Sequence, residues 1–332
     1  MATNMAPATT RKRRRRRLSH LSGRDRRTLA WMTGIPSFFH LTFVWVPALA
    51  TVVLSFTKWD GFQSFSKIKF VGFRNYWEIV HVFQDTLSAA LFNNVVLLLF
   101  LFLIPTLLGM FLAYLLDKSI RGTAIYQSIF YFPVVLSLAV VGVIWKSVIY
   151  SPRQGLVNTI LGKTAEGNQI DWVGDAHKLF SFHLPFVNDA VGPSKNFLAI
   201  LIAIAWRHTG YIMVLYLSGL KSVDPSLREA AAIDGCSEWK AFKRVIFPTM
   251  KPINIIIIVI TIIEGLRAYD IVAALRSPRG MELISLLVTQ NLLGEGGGNV
   301  GRGSAYGVIL LALCLGFIVW YVRNNFKEEE RV

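Results

Sequence analysis

Apolar residues fall into six long runs separated by polar, charge-bearing segments. A helix needs about 20 mostly apolar residues to cross a bilayer. The pattern predicts six such helices, over 35–56, 91–116, 125–149, 197–220, 253–274 and 306–322. Prolines interrupt three of them: Pro36 and Pro47 in the first, Pro105 in the second, Pro133 in the third. Membrane helices tolerate such breaks because neighbouring groups satisfy the carbonyl that proline leaves free. The predicted fold class is an all-α polytopic membrane protein with six transmembrane helices.

Composition agrees with the pattern. Of 332 residues, 53% are hydrophobic and 17% charged, against about 25% charged in soluble domains. Mean hydropathy is +0.48, which also excludes a disordered chain. The net charge of +15 comes from 35 Lys and Arg against 20 Asp and Glu. These basic residues cluster between the apolar runs, so they report topology. With both termini cytoplasmic, 21 Lys and Arg lie in inside segments and 11 in outside segments. The reverse orientation would carry seven consecutive basic residues, 11–17, across the membrane. Residues 1–28 are therefore expected to be a disordered basic tail that touches anionic headgroups. The tail has no interleaved aromatics, so no nucleic-acid partner is expected. It is no cleavable signal, because the apolar run behind it is a full span without a small-residue cleavage site. Residues 29–323 then form the transmembrane domain and 324–332 a short cytoplasmic tail. Cys236 and Cys314 stand apart from each other and from any Cys/His cluster, so neither a disulfide framework nor a metal site is expected.

The most informative polar segment is 221–252, on the inside between the fourth and fifth runs. Asp224 followed by Pro225 reads as an N-cap with proline at the first helical position. Ser226 to Ile233 then favours helix, and Asp234-Gly235 stops it through a left-handed glycine cap. Ser237 starts a second helix, Glu238 to Phe247, with Pro248 as its breaker. Trp239, Phe242, Val245 and Ile246 give that helix an apolar stripe. The product is a helix–turn–helix on the membrane surface, either a partner-docking face or a cap on the bundle.

Glu229-Ala230-Ala231, Asp234-Gly235 and Ile246-Phe247-Pro248 resemble the EAA motif of binding-protein-dependent ABC importer permeases. The residue after Gly235 is Cys236, where that family usually has alanine. The likeness covers most of the chain. Within it, SFTKWDGF at 55–62, FVGFRNY at 70–76, Asn93-Asn94, Phe132-Pro133, GLVN at 155–158 and Tyr269-Asp270 are similar to the carbohydrate (maltose, glycerol-3-phosphate and multiple-sugar) type. The segment 294–303, with six glycines, is similar to a glycine-rich external loop of that type and is expected to be flexible rather than helical. Residues 276–280 depart from the family's usual T-x-G-G-P.

The resemblance implies a type I ABC importer permease fold in the bacterial inner membrane. Glu229, Ala230, Ala231, Asp234 and Gly235 would then form the ATPase-coupling loop. The implied partners are a second homologous permease, two copies of an ATP-binding subunit and an extracytoplasmic substrate-binding protein. The implied cargo is a sugar, a di- or oligosaccharide before glycerol-3-phosphate or a related phosphodiester. The sequence has no G-x-x-x-x-G-K-[ST] phosphate loop, so ATP chemistry belongs to another chain. No catalytic residue, metal or cofactor is expected here.

Ionisable residues within membrane spans are expensive and mark functional candidates. Arg207 and His208 lie about 15 Å into the fourth span, and Glu264 about 16 Å into the fifth, at 1.5 Å per residue. Both depths are near the midplane. Arg267 and Asp270 follow Glu264 at three-residue steps, a spacing suited to pairing along one helix. Two readings stand. The charges neutralise each other, Arg207 with Glu264 and Arg267 with Asp270, or they line a cargo pathway with Trp206, Tyr211 and Tyr269 as aromatic faces. His208 also fits a satisfied buried histidine. An ion-coupled secondary transporter using the Glu264, Arg267, Asp270 set is the alternative of another class.

Overall fold

The computed structural model describes residues 22–118, 121–183, 187, 189–275, 280–294 and 298–329. The chain divides into two units, Met1–Val53 and Leu54–Val332. The expected tail lies mostly outside the described residues.

The first unit is helix α1 (Gly23–Leu54), which runs one residue past it. It begins inside the stretch expected to be a tail. A capping box explains the early start: the Asp25 N–H donates to Ser22 Oγ at 3.2 Å, and the Ser22 N–H to Asp25 Oδ2 at 3.1 Å. A π turn at Leu41–Trp45 interrupts it. Pro47 follows directly, and its ring would strike the i−4 carbonyl of a straight α-helix.

The second unit opens with a short antiparallel hairpin, β1 (Thr57–Lys58) against β2 (Lys69–Phe70). Helix α2 (Arg74–His81) follows. Asn75 straps it down, its Nδ2 donating to the carbonyls of Ser55 and Thr57, both at 2.8 Å. The bundle itself comprises α3 (Gln84–Asp117), α4 (Thr123–Val135), α5 (Leu138–Ile149), α7 (Lys195–Ser222), α10 (Lys251–Leu266), α11 (Asp270–Leu275), α12 (Ile284–Leu293) and α13 (Val300–Glu329). Helix α6 (Leu156–Ile160) belongs to the connection between α5 and α7. Helices α8 (Pro225–Ile233) and α9 (Glu238–Thr249) form a surface hairpin between α7 and α10.

Among the described residues, four helical stretches are long and apolar enough to cross a membrane: α1, α3, α7 and Val300–Tyr321 of α13. The count reaches six when each of two bent pairs is one span. The third predicted helix is one of them, α4 and α5 meeting at 100°. Leu136 and Ser137 turn extended there, and Ser137 Oγ accepts the Val140 N–H at 3.3 Å as a new N-cap. In the second bent pair, α9 meets the stretch Lys251–Leu275 at 75°. Pro248 does not end α9; the helix runs to Thr249 and breaks at Met250. The predicted fifth helix is itself divided, because the backbone leaves helix between Leu266 and Asp270.

Close backbone approach holds the bundle together. A Cβ built on Gly210 of α7 would lie 2.1 Å from the Phe130 carbonyl oxygen of α4, so only glycine lets these helices meet. The glycine-rich segment corrects the expected flexible loop for its described part. Gly301 and Gly303 are in the first turn of α13, with the Arg302 N–H donating to Asn299 Oδ1 at 3.0 Å. A Cβ on Gly301 would sit 1.9 Å from the Thr57 carbonyl oxygen. Glycine is used there for contact rather than for freedom.

The α5–α7 connection is held by Asp175. It accepts the His177 N–H at 3.0 Å and Lys195 Nζ at 3.0 Å, and lies 2.6 Å from His177 Nδ1. These donors, the His177 N–H first, hold the Asp175 carboxyl well below the ordinary carboxylate range. A depressed folded value gives stability that is present above the ordinary pKa of about 3.9 and lost as pH falls through the folded value. Amide-exchange protection of 175–196 should therefore stay flat from about pH 7 to about pH 4, and Asp175→Asn should lower it at neutral pH. Equal protection in wild type and Asp175→Asn would remove Asp175 as the anchor.

Gly210→Ala should destabilise the detergent-solubilised protein by about 1–3 kcal/mol, the usual cost of overpacking. Gly316→Ala, with nothing within 4 Å of the added Cβ, should leave its melting midpoint unchanged or slightly higher. Equal midpoints for the two variants would sink the close-approach argument.

Candidate functional site

Two regions gather the candidate residues. The first is a cavity of about 100 Å³ between α3, α5, α7 and the α10–α11 break. Its polar lining is Arg207, His208, Glu264, Arg267 and Asp270. Helix α7 supplies Arg207 and His208 from consecutive positions. Arg207 Nη1 lies 3.4 Å from Glu264 Oε2, and Arg207 Nε is buried without a hydrogen-bond partner. His208 is 2% exposed, with Nε2 at 3.3 Å from Thr261 Oγ1. It lines the cavity and is also a hydrogen-bonded buried ring.

The structure thus brings Arg207, His208 and Glu264 together as expected. It does not pair Arg267 with Asp270. The helix unwinds at Arg267, and the Tyr269 N–H turns back to the Arg267 carbonyl at 2.7 Å. The i,i+3 geometry that pairing needs is lost there. Trp206, Tyr211 and Tyr269 are not among the lining residues. Trp206 packs edge-on against Trp145 at 5.9 Å, and the Tyr211 ring is 6.4 Å from that of His208. The apolar lining, including Leu101, Leu138 and Ile204, went unrecognised in the sequence. Ser137 before an apolar run was the available signal for the turn that brings Leu138 there.

The second region is the α8–α9 hairpin. Asp224 caps α8 by accepting the Ser226 N–H at 2.9 Å, and this bond holds its carboxyl below the usual range. At the other end Gly235 takes φ +70°. The Cys236 N–H donates to the Ala231 carbonyl and the Gly235 N–H to the Ala232 carbonyl, both at 3.0 Å, which is a Schellman cap. Ala231 is buried, while Glu229, Ala230, Asp234 and Gly235 are exposed. Phe242 and Ile246 bury the inner side of α9 against α3 and α7, with Ala113, Leu116, Tyr216 and Leu220 in the same core. Ile233 stands out as a large apolar side chain, 87% exposed, while Trp239 stacks on Phe242 at 5.6 Å and meets the Tyr114 ring of α3 edge-on at 6.4 Å.

Charges seat the hairpin on the end of α3. Arg228 Nη1 donates to Asp117 Oδ2 at 2.6 Å, and Lys118 Nζ to Glu238 Oε2 at 2.5 Å. The latter bond raises the Lys118 pKa and lowers that of Glu238. None of these four residues stood out in the sequence as a contact between hairpin and spans. Their partners are 111 and 120 positions apart, and no local pattern announces such a pairing.

The structure is a multi-spanning helical bundle with a capped surface hairpin and a charged cavity beside a broken helix. The chain belongs to the family of binding-protein-dependent transport system inner membrane components, whose model matches residues 97–327. It is 31% identical over 301 residues to the osmoprotective compounds uptake permease protein GgtC of Synechocystis sp., covering 89% of this chain and 97% of that one. It is 30% identical over 249 residues to the xylose/arabinose import permease protein XacH of Haloferax volcanii, covering 74% and 72%. In fold it matches a chain of a bacterial ABC transporter for import of the acidic polysaccharide alginate, with a TM-score of 0.71, 18% identity, and 92% and 96% of the two chains covered. As a permease of this family the chain is non-catalytic, and ATP hydrolysis resides in other subunits. Family membership also takes the footing from the ion-coupled alternative.

The Arg207–Glu264 contact is long at 3.4 Å and borders the cavity, so its direct hydrogen bond should contribute only about 1 kcal/mol to stability. Glu264→Gln is expected to destabilise the protein by no more than about that amount. A loss above about 2 kcal/mol would mark the pair as a structural clamp instead.

Proposed function

We propose that this chain is the permease subunit of an ATP-driven carbohydrate importer in a bacterial cytoplasmic membrane, with both termini inside. It forms half of the translocation pathway together with a second homologous permease. Its α8–α9 hairpin docks on one of two ATP-binding subunits, and an extracytoplasmic binding protein delivers the cargo. The carrying observation is the hairpin. Its α8 is capped at both ends, its α9 is seated on α3 and α7, and it exposes Glu229, Ala230, Asp234 and Gly235. Closure of the ATPase pair moves the two coupling hairpins, and the spans exchange an inward-open for an outward-open arrangement.

The cargo path runs by Arg207, His208 and Glu264. Two arginines and two acids make the cavity lining formally neutral. That balance suits a neutral polyol-rich cargo better than a phosphodiester, which would call for excess Arg or Lys. The related proteins named for xylose/arabinose import and for alginate import support a carbohydrate. A di- or oligosaccharide is the proposed size class. Trp206, Tyr211 and Tyr269 are proposed as aromatic faces toward the partner half of the pathway.

Gly235→Val tests the docking. No atom of this chain lies within 4 Å of an added Cβ, but a β-branched residue at φ +70° is strained. In the reconstituted complex the variant should lose binding-protein-stimulated ATP hydrolysis by at least about tenfold, a loss of roughly 1.4 kcal/mol or more in coupling. A panel of mono-, di- and oligosaccharides then names the cargo. Transport by the purified chain in proteoliposomes without any ATP-binding subunit would overturn the importer reading.

A further inference from the structure

The hairpin enters and leaves the bundle through two short hinges, Val223–Asp224 and Met250, where the backbone departs from helix. Apolar packing of Phe242 and Ile246 couples α9 to the spans, but α8 buries only Ala231 and on its hinge could shift without them. Arg228 closes that gap. Its guanidinium, on α8, donates from Nη1 to Asp117 Oδ2 at the end of α3 at 2.6 Å, and from Nη2 to the Leu220 carbonyl near the end of α7 at 2.8 Å. The Asp117 side chain is only 12% exposed, so its carboxylate depends on this partner. The Leu220 carbonyl is one of the last four of α7, which lack an i+4 donor within the helix. One planar fork thus joins three elements, and its geometry leaves no freedom between them.

The Lys118–Glu238 pair sets a second link, from α3 to α9, with Lys118 Nζ also 4.8 Å from the Tyr114 ring centroid. Its partners are 43% and 76% exposed, and solvent screens it. The Arg228 node is better sheltered. Between the two links lies a cleft of about 250 Å³ bordered by Asp117, Arg228, Cys236 and Glu238. Phe242 and Ile246 pack α9 against α3 and α7, whereas α8 lies across this cleft, and the charged links tie it to the spans.

We propose that Arg228 is the positioning residue that makes the docking hairpin and the adjoining ends of α3 and α7 a single arm, so that displacement of the hairpin is delivered to the pathway helices. This rests on the docking reading of the hairpin. The residue works through Asp117 and the Leu220 carbonyl; it touches neither cargo nor ATP. Lysine in its place keeps the charge but loses the fork, because one ammonium cannot span both acceptors in the same geometry.

The experiment measures cargo moved per ATP hydrolysed in the full complex in proteoliposomes, for wild type, Arg228→Lys, Arg228→Met and Asp117→Asn. The expected result is a fall of roughly tenfold in that ratio for Arg228→Met, about the worth of one charge-assisted hydrogen bond. Arg228→Lys and Asp117→Asn should show intermediate falls. Co-purification of the ATP-binding subunits with each variant is scored separately. If wild type itself fails to co-purify with them, the docking reading fails. If all variants co-purify and the ratio stays at the wild-type value, the arm is wrong while docking stands. A lowered melting midpoint with transport and hydrolysis falling in equal proportion overturns the proposal in favour of a merely structural bond. Arg228→Lys keeps the charge, so it stays informative if Arg228→Met does not fold.

Discussion

A helix break inside an apolar bundle leaves backbone groups that water cannot satisfy, and in this chain buried polar side chains supply partners at such breaks and tie neighbouring segments together. Pro105 cannot donate to the Leu101 carbonyl, and Thr106 Oγ1 does so instead at 2.7 Å. Asn94 Oδ1 accepts the Ile284 N–H at the start of α12 at 3.0 Å, while Asn93 Nδ2 donates to the Glu282 carbonyl at 2.9 Å. Tyr150 Oη donates to the Ala199 carbonyl at 3.0 Å. Asn158 Nδ2 holds the carbonyls of Pro152 and Ile170, both at 2.9 Å. These side chains are buried because their acceptors and donors are, and each bond fixes where a chain segment enters or leaves the bundle.

The same constraint produces the site. The break between Leu266 and Asp270 splits the fifth apolar run and turns Arg267 and Asp270 onto a cavity that also receives Arg207 and Glu264. A continuous helix would have placed Arg267 and Asp270 as i,i+3 neighbours able to pair with each other. Unwinding concentrates them, and the opposite signs limit the cost of holding them in apolar surroundings. The lining then offers several donors and acceptors without a net charge, a surface for hydroxyl-rich rather than strongly anionic molecules.

At the opposite end of α7, caps do the work that packing does elsewhere. Asp224 and the Schellman turn at Gly235 close α8 by local hydrogen bonds, so its outward residues need no support from a core. Phe242 and Ile246 anchor the inner side of α9. The outward face is thereby left for Ile233 and the charged residues, while Arg228 and Lys118 connect the element back to the spans.

The sequence alone was sufficient for features governed by local chemistry. The third, fourth and fifth apolar runs match helix ends to within two residues, while the helices of the first, second and sixth begin 12, 7 and 6 residues before the apolar run does, because thickness sets the length of the apolar stretch and not where a helix is capped. Asp224-Pro225 and Asp234-Gly235 located both ends of α8, since capping reads only adjacent backbone. The long-range decisions came from tertiary structure. The 100° bend after Pro133 depends on what α4 and α5 pack against, and the helical start at Val300 on the carbonyl of Thr57 brought beside Gly301. The loss of the Arg267–Asp270 pair and the seating of Arg228 on Asp117, 111 residues away, likewise depend on which chain segments become neighbours. A periodicity records which face of a helix is apolar; it carries no record of the atom that will stand opposite, and bonds between distant segments are decided only when the helices meet.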